Sequence, residues 1–320
     1  MTPSREIAGG SDTDREELIV RCAWLYHDDR LTQEQIAERF NISRSTVSRA
    51  LSEAERRGIV RVVITEPLPE ALRLENELAK RFGIAAVVGI SNEGESSRSV
   101  AGRAAARTLE TLVLQDDITI AMGWGRTLAA MLPYLRPRKT RRVAIIGSIG
   151  HSLASESAPS ATVVREIAAT FSAEVEWVPA PLYSIGSEVT RALVNNIAVR
   201  SVLDRARQAD VIFTSIGCAE MSNPLVAKGM LTPAAMQEML ARGAVGDILA
   251  NFIDADGSEV RLEEFEPVGL RLDDVRQASR VVAVASGPER VPAIRAALSG
   301  GYLSELVLDD LTAEALLRSD

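Results

Sequence analysis

Beyond residue 84, short apolar runs alternate with stretches that have the spacing of amphipathic helices. The apolar runs predict strands at 86–91, 118–124, 142–149, 174–179, 210–216, 247–253, 280–285 and 305–308. Helix patterns lie between most of them, at 97–114, 127–135, 162–171, 189–208, 233–242 and 291–298. Strands that are apolar throughout are buried on both faces, and a helix after each strand returns the chain for parallel pairing. The pattern predicts an α/β fold with a doubly wound, mostly parallel sheet.

A second pattern, at 31–50, predicts an all-α module of two short helices joined by a tight turn. Thr32 and Gln35 have the spacing of a capping box at the start of the first helix. Asn41 tolerates the left-handed conformation that ends a helix, and Ser43 is a good N-cap for the next one. This layout is typical of a helix-turn-helix, although an ordinary helical hairpin with a polar surface is the alternative.

The second helix of this pair begins with side chains that suit the major groove of DNA. Arginine bonds guanine with two hydrogen bonds, and serine or threonine reaches base edges or phosphates. The predicted DNA contacts are Thr32, Gln33, Ser43, Arg44, Ser45, Thr46, Ser48 and Arg49. Five arginines and two glutamates give residues 44–61 a charge of +3, whereas the whole chain carries −8. A basic helix on an acidic body favours local, salt-sensitive contact with double-stranded DNA.

The flanking sequence indicates how the chain is divided. Residues 1–12 have the composition of a disordered tail, and 13–66 are the predicted helix-turn-helix domain. Within it, the β-branched run 59–65 predicts a strand that would form one side of a wing. A charged helix at 67–83 is interpreted as a linker, either a plain surface helix or a connector that transmits a signal or pairs with another subunit. Residues 84–320 are the predicted ligand-binding and oligomerisation domain.

Several other protein classes are disfavoured by composition. Cys22 and Cys218 lie far apart in the sequence, so a disulfide framework is not expected, and two histidines without a Cys-x-x-Cys give no zinc signature. No apolar run has the length of a membrane span or of a signal peptide, so we expect a cytoplasmic protein that does not contact membranes. Nucleophile-elbow, Walker and dinucleotide-binding motifs are absent, and we expect no catalytic residues, metal or cofactor.

Glycine-containing turns follow several of the predicted strands, where open parallel sheets bind their ligands. Arginine and threonine side chains can bond a phosphate there, and carboxylates accept hydrogen bonds from sugar hydroxyls. The predicted ligand contacts are Gly123, Trp124, Gly125, Arg126, Thr127, Gly147, Ser148, Gly217, Asp247 and Arg290. A simple tight turn for the glycines, a loop-capping role for Asp247 and a solvated helix start for Arg290 are the alternatives. Trp124 can either stack on the face of a sugar or pack in the core or at the rim of the site.

Taken together, these segments resemble the SorC family of bacterial sugar-binding transcriptional regulators, sometimes grouped with the deoxyribonucleoside regulators. The resemblance covers nearly the whole chain and rests on QEQIAERFNISRSTVSRAL, GWGRTLAAML, GAVGDILANFIDADG, VASGPERVPAIRAAL and LVLDDLTAEALL. It implies an effector domain similar in fold to phosphosugar isomerases and glucosamine-phosphate deaminases. It also implies a sugar effector that is often phosphorylated, and tetramers or higher assemblies on repeated operators. For this chain we expect a homo-oligomer, either a dimer or a tetramer.

The resemblance also implies roles for individual residues. The anion-binding turn of the family corresponds to Gly123, Gly125, Arg126 and Thr127 of this sequence. Further pocket positions correspond to Gly217 and Asp247. At the position of Arg290 many relatives have lysine, and arginine keeps the positive charge while changing its reach and geometry.

Two functions are compatible with these features. The favoured one is a DNA-binding transcriptional regulator of a carbohydrate or polyol catabolic operon, controlled by a sugar, polyol or sugar-phosphate effector. The alternative is a phosphosugar isomerase or deaminase with an accessory DNA-binding module. Such an enzyme needs a general base near the C1–C2 bond of the sugar, for which Asp247 is the candidate.

Overall fold

The chain divides into two compact units, Met1–Pro67 and Leu68–Asp320. The structure is a computed structural model and describes residues 12–60, 69–115, 117–150, 159–184 and 186–319. The predicted tail and most of the predicted strand at 59–65 lie outside the described residues. No described helix combines the length and the hydropathy that a bilayer crossing requires.

Within its described residues, 12–60, the smaller unit contains three helices, α1 (Asp12–His27), α2 (Gln33–Phe40) and α3 (Arg44–Arg56). They share one core, because each buries an apolar face against the other two. The buried core residues are Ile19, Cys22, Ala23, Leu25, Ile36, Ala37, Val47, Ala50, Leu51 and Ala54. Tyr26 of α1 lies outside this core, because it is 37% exposed and its ring stands edge-on against the His27 ring.

The larger unit contains a central sheet and a small two-stranded sheet. Its strands are β1 (Ala85–Gly89), β2 (Thr119–Met122), β3 (Ala144–Gly147), β4 (Glu174–Glu176), β5 (Tyr183–Ser184), β6 (Val211–Cys218), β7 (Ala244–Ile248), β8 (Asn251–Asp254), β9 (Glu259–Val260), β10 (Glu266–Pro267), β11 (Val281–Val284) and β12 (Glu305–Asp309). The central order is β1-β12-β11-β6-β2-β3-β4, with every neighbouring pair parallel. The predicted mostly parallel sheet is thereby confirmed.

Helices cover both faces of this sheet. They are α4 (Glu70–Phe82), α5 (Ser97–Val113), α6 (Arg126–Ala129), α7 (Pro159–Phe171), α8 (Ser187–Asn195), α9 (Ile197–Arg207), α10 (Pro224–Ala227), α11 (Pro233–Ala241), α12 (Leu272–Gln277), α13 (Val291–Ser299) and α14 (Asp310–Arg318). Successive strand residues point to opposite faces. In β11, Val282 belongs to the core under α5 and α7, whereas its neighbour Ala283 belongs to the core under α9 and α13. Burial on both faces explains why these strands are apolar throughout.

The single strand predicted at 247–253 is wrong. The segment is a hairpin in which β7 pairs antiparallel with the end of β6 and with β8. Its two-residue turn is Leu249-Ala250, with φ angles of 51° and 61°. Such turns usually contain asparagine or glycine, because both central residues have positive φ. The buried, apolar Leu249 and Ala250 therefore gave no turn signal.

Two predicted helices are shorter than their apolar patterns indicate. The one at 189–208 breaks at Asn196, whose side chain caps α9 by accepting a hydrogen bond from the backbone N–H of Ala198 at 3.0 Å. The one at 127–135 is the single turn α6 followed by the 3₁₀ turn Leu132–Tyr134. Pro133 lies in that turn and cannot donate to a continuing helix.

The predicted linker helix, α4, is part of the larger unit. Leu74 and Leu78 are buried in the core of that unit. A carboxylate oxygen of Glu75 accepts a hydrogen bond from the backbone N–H of Val88 at 2.9 Å. At the other end of the helix, Arg81 donates to the carbonyl oxygens of Leu317 and Ser319.

Candidate functional site

The turn between α2 and α3 has the geometry that the sequence predicts. Thr32 and Gln35 form a reciprocal capping box at the start of α2. Asn41 ends that helix in the left-handed conformation, with φ 52° and ψ 46°. Ser43 caps α3, and its hydroxyl accepts a hydrogen bond from the backbone N–H of Thr46 at 3.2 Å. These short-range contacts fix where α3 begins and therefore which of its side chains face outward.

The outward face of α3 is polar and cationic. The hydroxyl of Ser43 lies 2.8 Å from those of Ser45 and Thr46, and the Nε of Arg49 donates to the Ser45 carbonyl at 3.2 Å. Arg44 is exposed and has no partner among the described residues. Of the eight predicted DNA contacts, six are exposed, and Gln33 and Thr46 are half-buried. The surface can donate to base edges and phosphates without first breaking an ion pair.

The larger unit has a cleft at the carboxyl ends of its central strands. The turn after β2, the end of β6, the β7–β8 hairpin and the 3₁₀ turn after β11 contribute to it. Its lining residues are Trp124, Gly125, Arg126, Thr127, Ser215, Ile216, Gly217, Cys218, Glu220, Asn223, Pro224, Leu225, Asp247, Leu249 and Arg290. It encloses about 540 Å³ of space, including the part that opens to solvent.

Asp247 is the buried carboxylate of the cleft and lies opposite Gly217 in the β6–β7 pair. Its Oδ1 accepts from the Asn223 side-chain amide at 3.4 Å, and its Oδ2 accepts from the Ala250 backbone N–H at 3.3 Å. Burial raises the pKa of Asp247 to about 6, although these two hydrogen bonds and the charge of Arg290 act in the opposite direction. The group is thus mostly ionised at neutral pH and becomes protonated in mild acid.

Arg290 is the buried cation of the cleft. Its guanidinium donates to the Ser286 carbonyl and pairs with Glu289 at 2.6 Å. Ser286 also lies 3.2 Å, hydroxyl to hydroxyl, from Thr127, which joins the turn after β11 to the turn after β2. Because the Glu289 side chain is 62% exposed, water screens that ion pair and the cleft retains cationic character.

A third arginine lies near this site. Arg98 is the second residue of α5, which follows β1 as α6 follows β2, so both helices begin at the same edge of the sheet. Partial desolvation lowers the pKa of Arg98, and so do the positive charges of Arg126 and Arg290, against the effect of Glu289. Neither Arg98 nor Arg126 has a hydrogen-bond or ion-pair partner in the part of the chain that the structure describes.

The structure brings seven of the ten predicted ligand contacts into this cleft and leaves three outside its lining. Gly123 packs against the neighbouring strand, where an added Cβ would overlap the Thr214 side chain. Gly147 and Ser148 lie outside because the chain beyond β3 pairs with residues 268–270. The backbone N–H of Leu270 donates to the Ser148 carbonyl at 2.9 Å, and Ser148 is fully buried. Whether the seven bind a ligand stays a prediction.

Sequence reasoning missed Arg98, Ser215, Asn223 and Leu249. Ser215 donates to the Trp124 carbonyl at 2.8 Å and fixes the Gly125 turn. Asn223, followed by a proline, carries a helix-start signal, which its capping of α10 confirms. Its second contact, to Asp247, depends on the β6–β7 pairing and has no local signature.

Comparisons with known proteins agree with this architecture. A model of the winged helix-turn-helix DNA-binding family matches residues 25–61, and one described as "Putative sugar-binding domain" matches residues 66–318. The transcriptional regulator LsrR of Klebsiella pneumoniae subsp. pneumoniae is 33% identical over 312 residues, which cover 94% of this chain and 93% of that protein. The chain belongs to the SorC family of sugar-binding transcriptional regulators.

Solved structures place this SorC-family chain among similar folds. The full-length sorbitol operon regulator SorC from Klebsiella pneumoniae is 28% identical with a TM-score of 0.70, covering 95% of this chain and all (100%) of that one. A DeoR family transcriptional regulator from Listeria monocytogenes has a TM-score of 0.71 at 22% identity, covering 78% and 100% of the two chains. The second likeness shows the fold alone. The predicted class of protein, a transcriptional regulator with a helix-turn-helix and a sugar-binding domain, is confirmed.

Proposed function

We propose that this regulator binds a sugar or polyol carrying an anionic group, such as a phosphate, in the cleft, and that the bound effector controls operator binding by α3. The observation that supports this proposal is that one cleft contains both a buried carboxylate, Asp247, and a buried guanidinium, Arg290. A carboxylate accepts hydrogen bonds from hydroxyl groups, and a guanidinium binds phosphate. One ligand that satisfies both groups is a phosphorylated polyhydroxy compound.

The remaining features of the cleft suit the same ligand. Arg126 and Arg98 add positive charge beside Arg290, and Trp124 is half-buried at the wall, where its ring can cover a sugar face. Thr127 and the glycine at 125 complete the proposed anion subsite, and Gly217 leaves room for the Asp247 carboxylate.

For the smaller unit, we propose that α3 enters the major groove of DNA. We also propose that the chain acts as a dimer or tetramer in the cytoplasm. One helix-turn-helix seldom binds an operator tightly enough alone, so two or more copies are needed on repeated half-sites. An effector changes operator affinity only by the difference in its affinity for two arrangements of the protein.

Substitutions test the division of labour between the two units. Sugars, polyols and their phosphates are first screened for thermal stabilisation of the full-length protein, because a ligand of the native state raises the melting temperature. Arg44→Ala or Arg49→Ala should then abolish operator binding in gel shifts and leave effector binding unchanged in calorimetry. Arg126→Ala or Arg290→Ala should weaken the effector's influence on DNA binding. Operator affinity that survives both α3 substitutions would contradict the assignment of the reading helix.

An isomerase or deaminase activity has one observation in its favour. A carboxyl group with a pKa of about 6, as in Asp247, is suited to general-base catalysis near neutral pH. Cys218, also in the cleft, is not a candidate nucleophile, since burial raises its pKa to about 11. A turnover assay with pentose and hexose phosphates separates the two functions. We expect no turnover, and isomerisation that Asp247→Asn abolishes would establish an enzyme.

A further inference from the structure

A basic segment lies on the larger unit, at the edge of the sheet opposite the cleft. Residues 136–142 (RPRKTRR) connect the 3₁₀ turn Leu132–Tyr134 to the start of β3 and contain five cations and no acid. The segment precedes its parallel strand, whereas the cleft lies at the strands' carboxyl ends. In a chain with a net charge of −8, such a concentration of positive charge needs a physical reason.

The backbone of this segment is held in place. The N–H of Arg138 donates to the Thr170 carbonyl at 2.9 Å, and the hydroxyl of Thr140 donates to the Phe171 carbonyl at 2.8 Å. The N–H of Arg136 donates to the Glu110 carboxylate at 2.8 Å. Anchoring at alternate residues holds in place the backbone that carries these side chains, which lowers the entropy cost of binding a partner.

The cationic side chains of this array are available. We define the basic surface as Arg107, Arg136, Arg138, Lys139, Arg141 and Arg142. All six are exposed. Within the described parts of the chain, Arg142 pairs with Asp117, and the other five have no ion-pair partner. Arg107 extends the surface from α5 across a groove that it lines together with Arg136 and Arg138.

We propose that this basic surface binds the phosphate backbone of operator DNA, so that the larger unit adds a sequence-independent contact to the one made by α3. Because the members of this family regulate transcription, DNA is the polyanion that the chain encounters. The whole chain has a net charge of −8 and residues 44–61 have a net charge of +3, so the remaining residues have a net charge of −11. DNA repels a body of that charge unless a cationic face is turned towards the DNA. Exposed cations release counterions from DNA when they bind its phosphates.

The proposal rests on operator binding through α3, and the salt dependence of affinity tests it separately. The full-length Lys139→Gln/Arg141→Gln variant is compared with the wild type on a duplex selected from a random-sequence pool by the wild-type protein. Each phosphate that the protein no longer neutralises reduces the steepness of log K against log salt by about 0.9, so we expect a decrease of about 1.8. Affinity at physiological salt should fall roughly tenfold.

The matched control is Arg191→Gln/Arg200→Gln, which removes two exposed arginines from α8 and α9 and changes the net charge equally. It should leave the slope unchanged, and neither variant should change the melting temperature. An unchanged slope in the first variant, or equal losses in both, overturns the proposal. Dissociation of the oligomer in the first variant also overturns it, because the surface would then bind a second copy of the chain. Arg44→Ala, by contrast, should abolish specific binding to the selected duplex at every salt concentration and leave only the salt-sensitive contact of the basic surface.

Discussion

Among single residues, Asp247 determines most of the chemistry of the cleft. Its carboxylate is buried between Asn223 and the β7–β8 turn, where hydrogen bonds from the Asn223 amide and the Ala250 N–H take the place of water. The free energy of burying the charge is the reason that the pKa rises to about 6. Affinity for an effector and stability of the fold should therefore respond to pH in opposite directions.

The first prediction concerns the pH dependence of stability. Because the pKa of Asp247 is higher in the folded chain than its ordinary value of 3.8, the folded state binds more protons between about pH 4 and pH 6, and the contribution of this group to stability falls as pH rises through this window. Asp247→Asn removes this contribution and should flatten the decrease, which urea unfolding at pH 5, 6 and 7.5 measures. Asp273→Asn, at an exposed acid, is the control and should keep the wild-type profile. The same pH profile in the wild type and in Asp247→Asn would contradict the assignment.

Gly217 carries a second prediction for a single residue. Its backbone lies so close to Asp247 that a Cβ there would overlap the carboxylate. Gly217→Ala should displace that carboxylate and weaken effector binding at least tenfold, measured by calorimetry with a ligand found in the stabilisation screen. Gly147→Ala, where the added Cβ meets only ordinary contacts and lies outside the cleft lining, should bind normally. Equal affinities in the two variants would show that Asp247 does not touch the effector.

Among the secondary-structure elements, the β7–β8 hairpin positions the site at some energetic cost. Leu249 and Ala250 both adopt positive φ, which is unfavourable by about 1 kcal/mol for each L-residue. The strained turn is held by the Asp247 side chain and by Tyr183, whose hydroxyl donates to the Ala250 carbonyl at 2.8 Å. The hairpin thus links the acid of the cleft to the small β5–β10 sheet.

We predict that Ala250→Gly stabilises the protein. Glycine adopts positive φ without the strain of about 1–2 kcal/mol that an L-residue has there, and this relief exceeds the roughly 0.8 kcal/mol lost with the buried alanine methyl, so a net gain of about 0.5 kcal/mol is expected in urea unfolding. Ala244→Gly in β7, where φ is negative, is the matched control and should destabilise the protein by a similar amount. A loss of stability in both variants would mean that the turn is not strained.

The molecule as a whole consists of a small helical unit and a large α/β unit, and α4 belongs to the latter. Leu78 of α4 is fully buried in the core of the larger unit, whereas Leu72 of the same helix is 43% exposed. The helix therefore moves with the core of that unit and not as a separate linker. The helix leads from the smaller unit into the first strand of the sheet.

The corresponding prediction compares these two leucines. Leu78→Ala should lower the free energy of unfolding of the larger unit by about 2–5 kcal/mol, since it leaves a cavity in a packed core. Leu72→Ala should change it by less than about 0.5 kcal/mol. Denaturant unfolding followed by near-UV circular dichroism measures both. Similar small effects would indicate that α4 is a free linker.

Features that depend on neighbours along the chain could be predicted from the residues themselves. The caps at Thr32 and Ser43, the left-handed Asn41 and the outward face of α3 follow from local hydrogen bonding and helical spacing, and the structure confirms them. Strands that are apolar throughout, alternating with helices, were enough to predict a parallel sheet and the edge on which a cleft forms.

The meeting of particular polar groups, by contrast, depends on how distant parts of the chain pack. The Asn223–Asp247 contact, the clustering of Arg98 with Arg126 and Arg290, and the closure of residues 148–150 against 268–270 all join segments far apart in sequence. The positive φ angles of Leu249 and Ala250 oppose local preference and persist because the surrounding core and hydrogen bonds hold them. Strand order and long-range burial set these contacts, and neither leaves a local pattern in the residues involved.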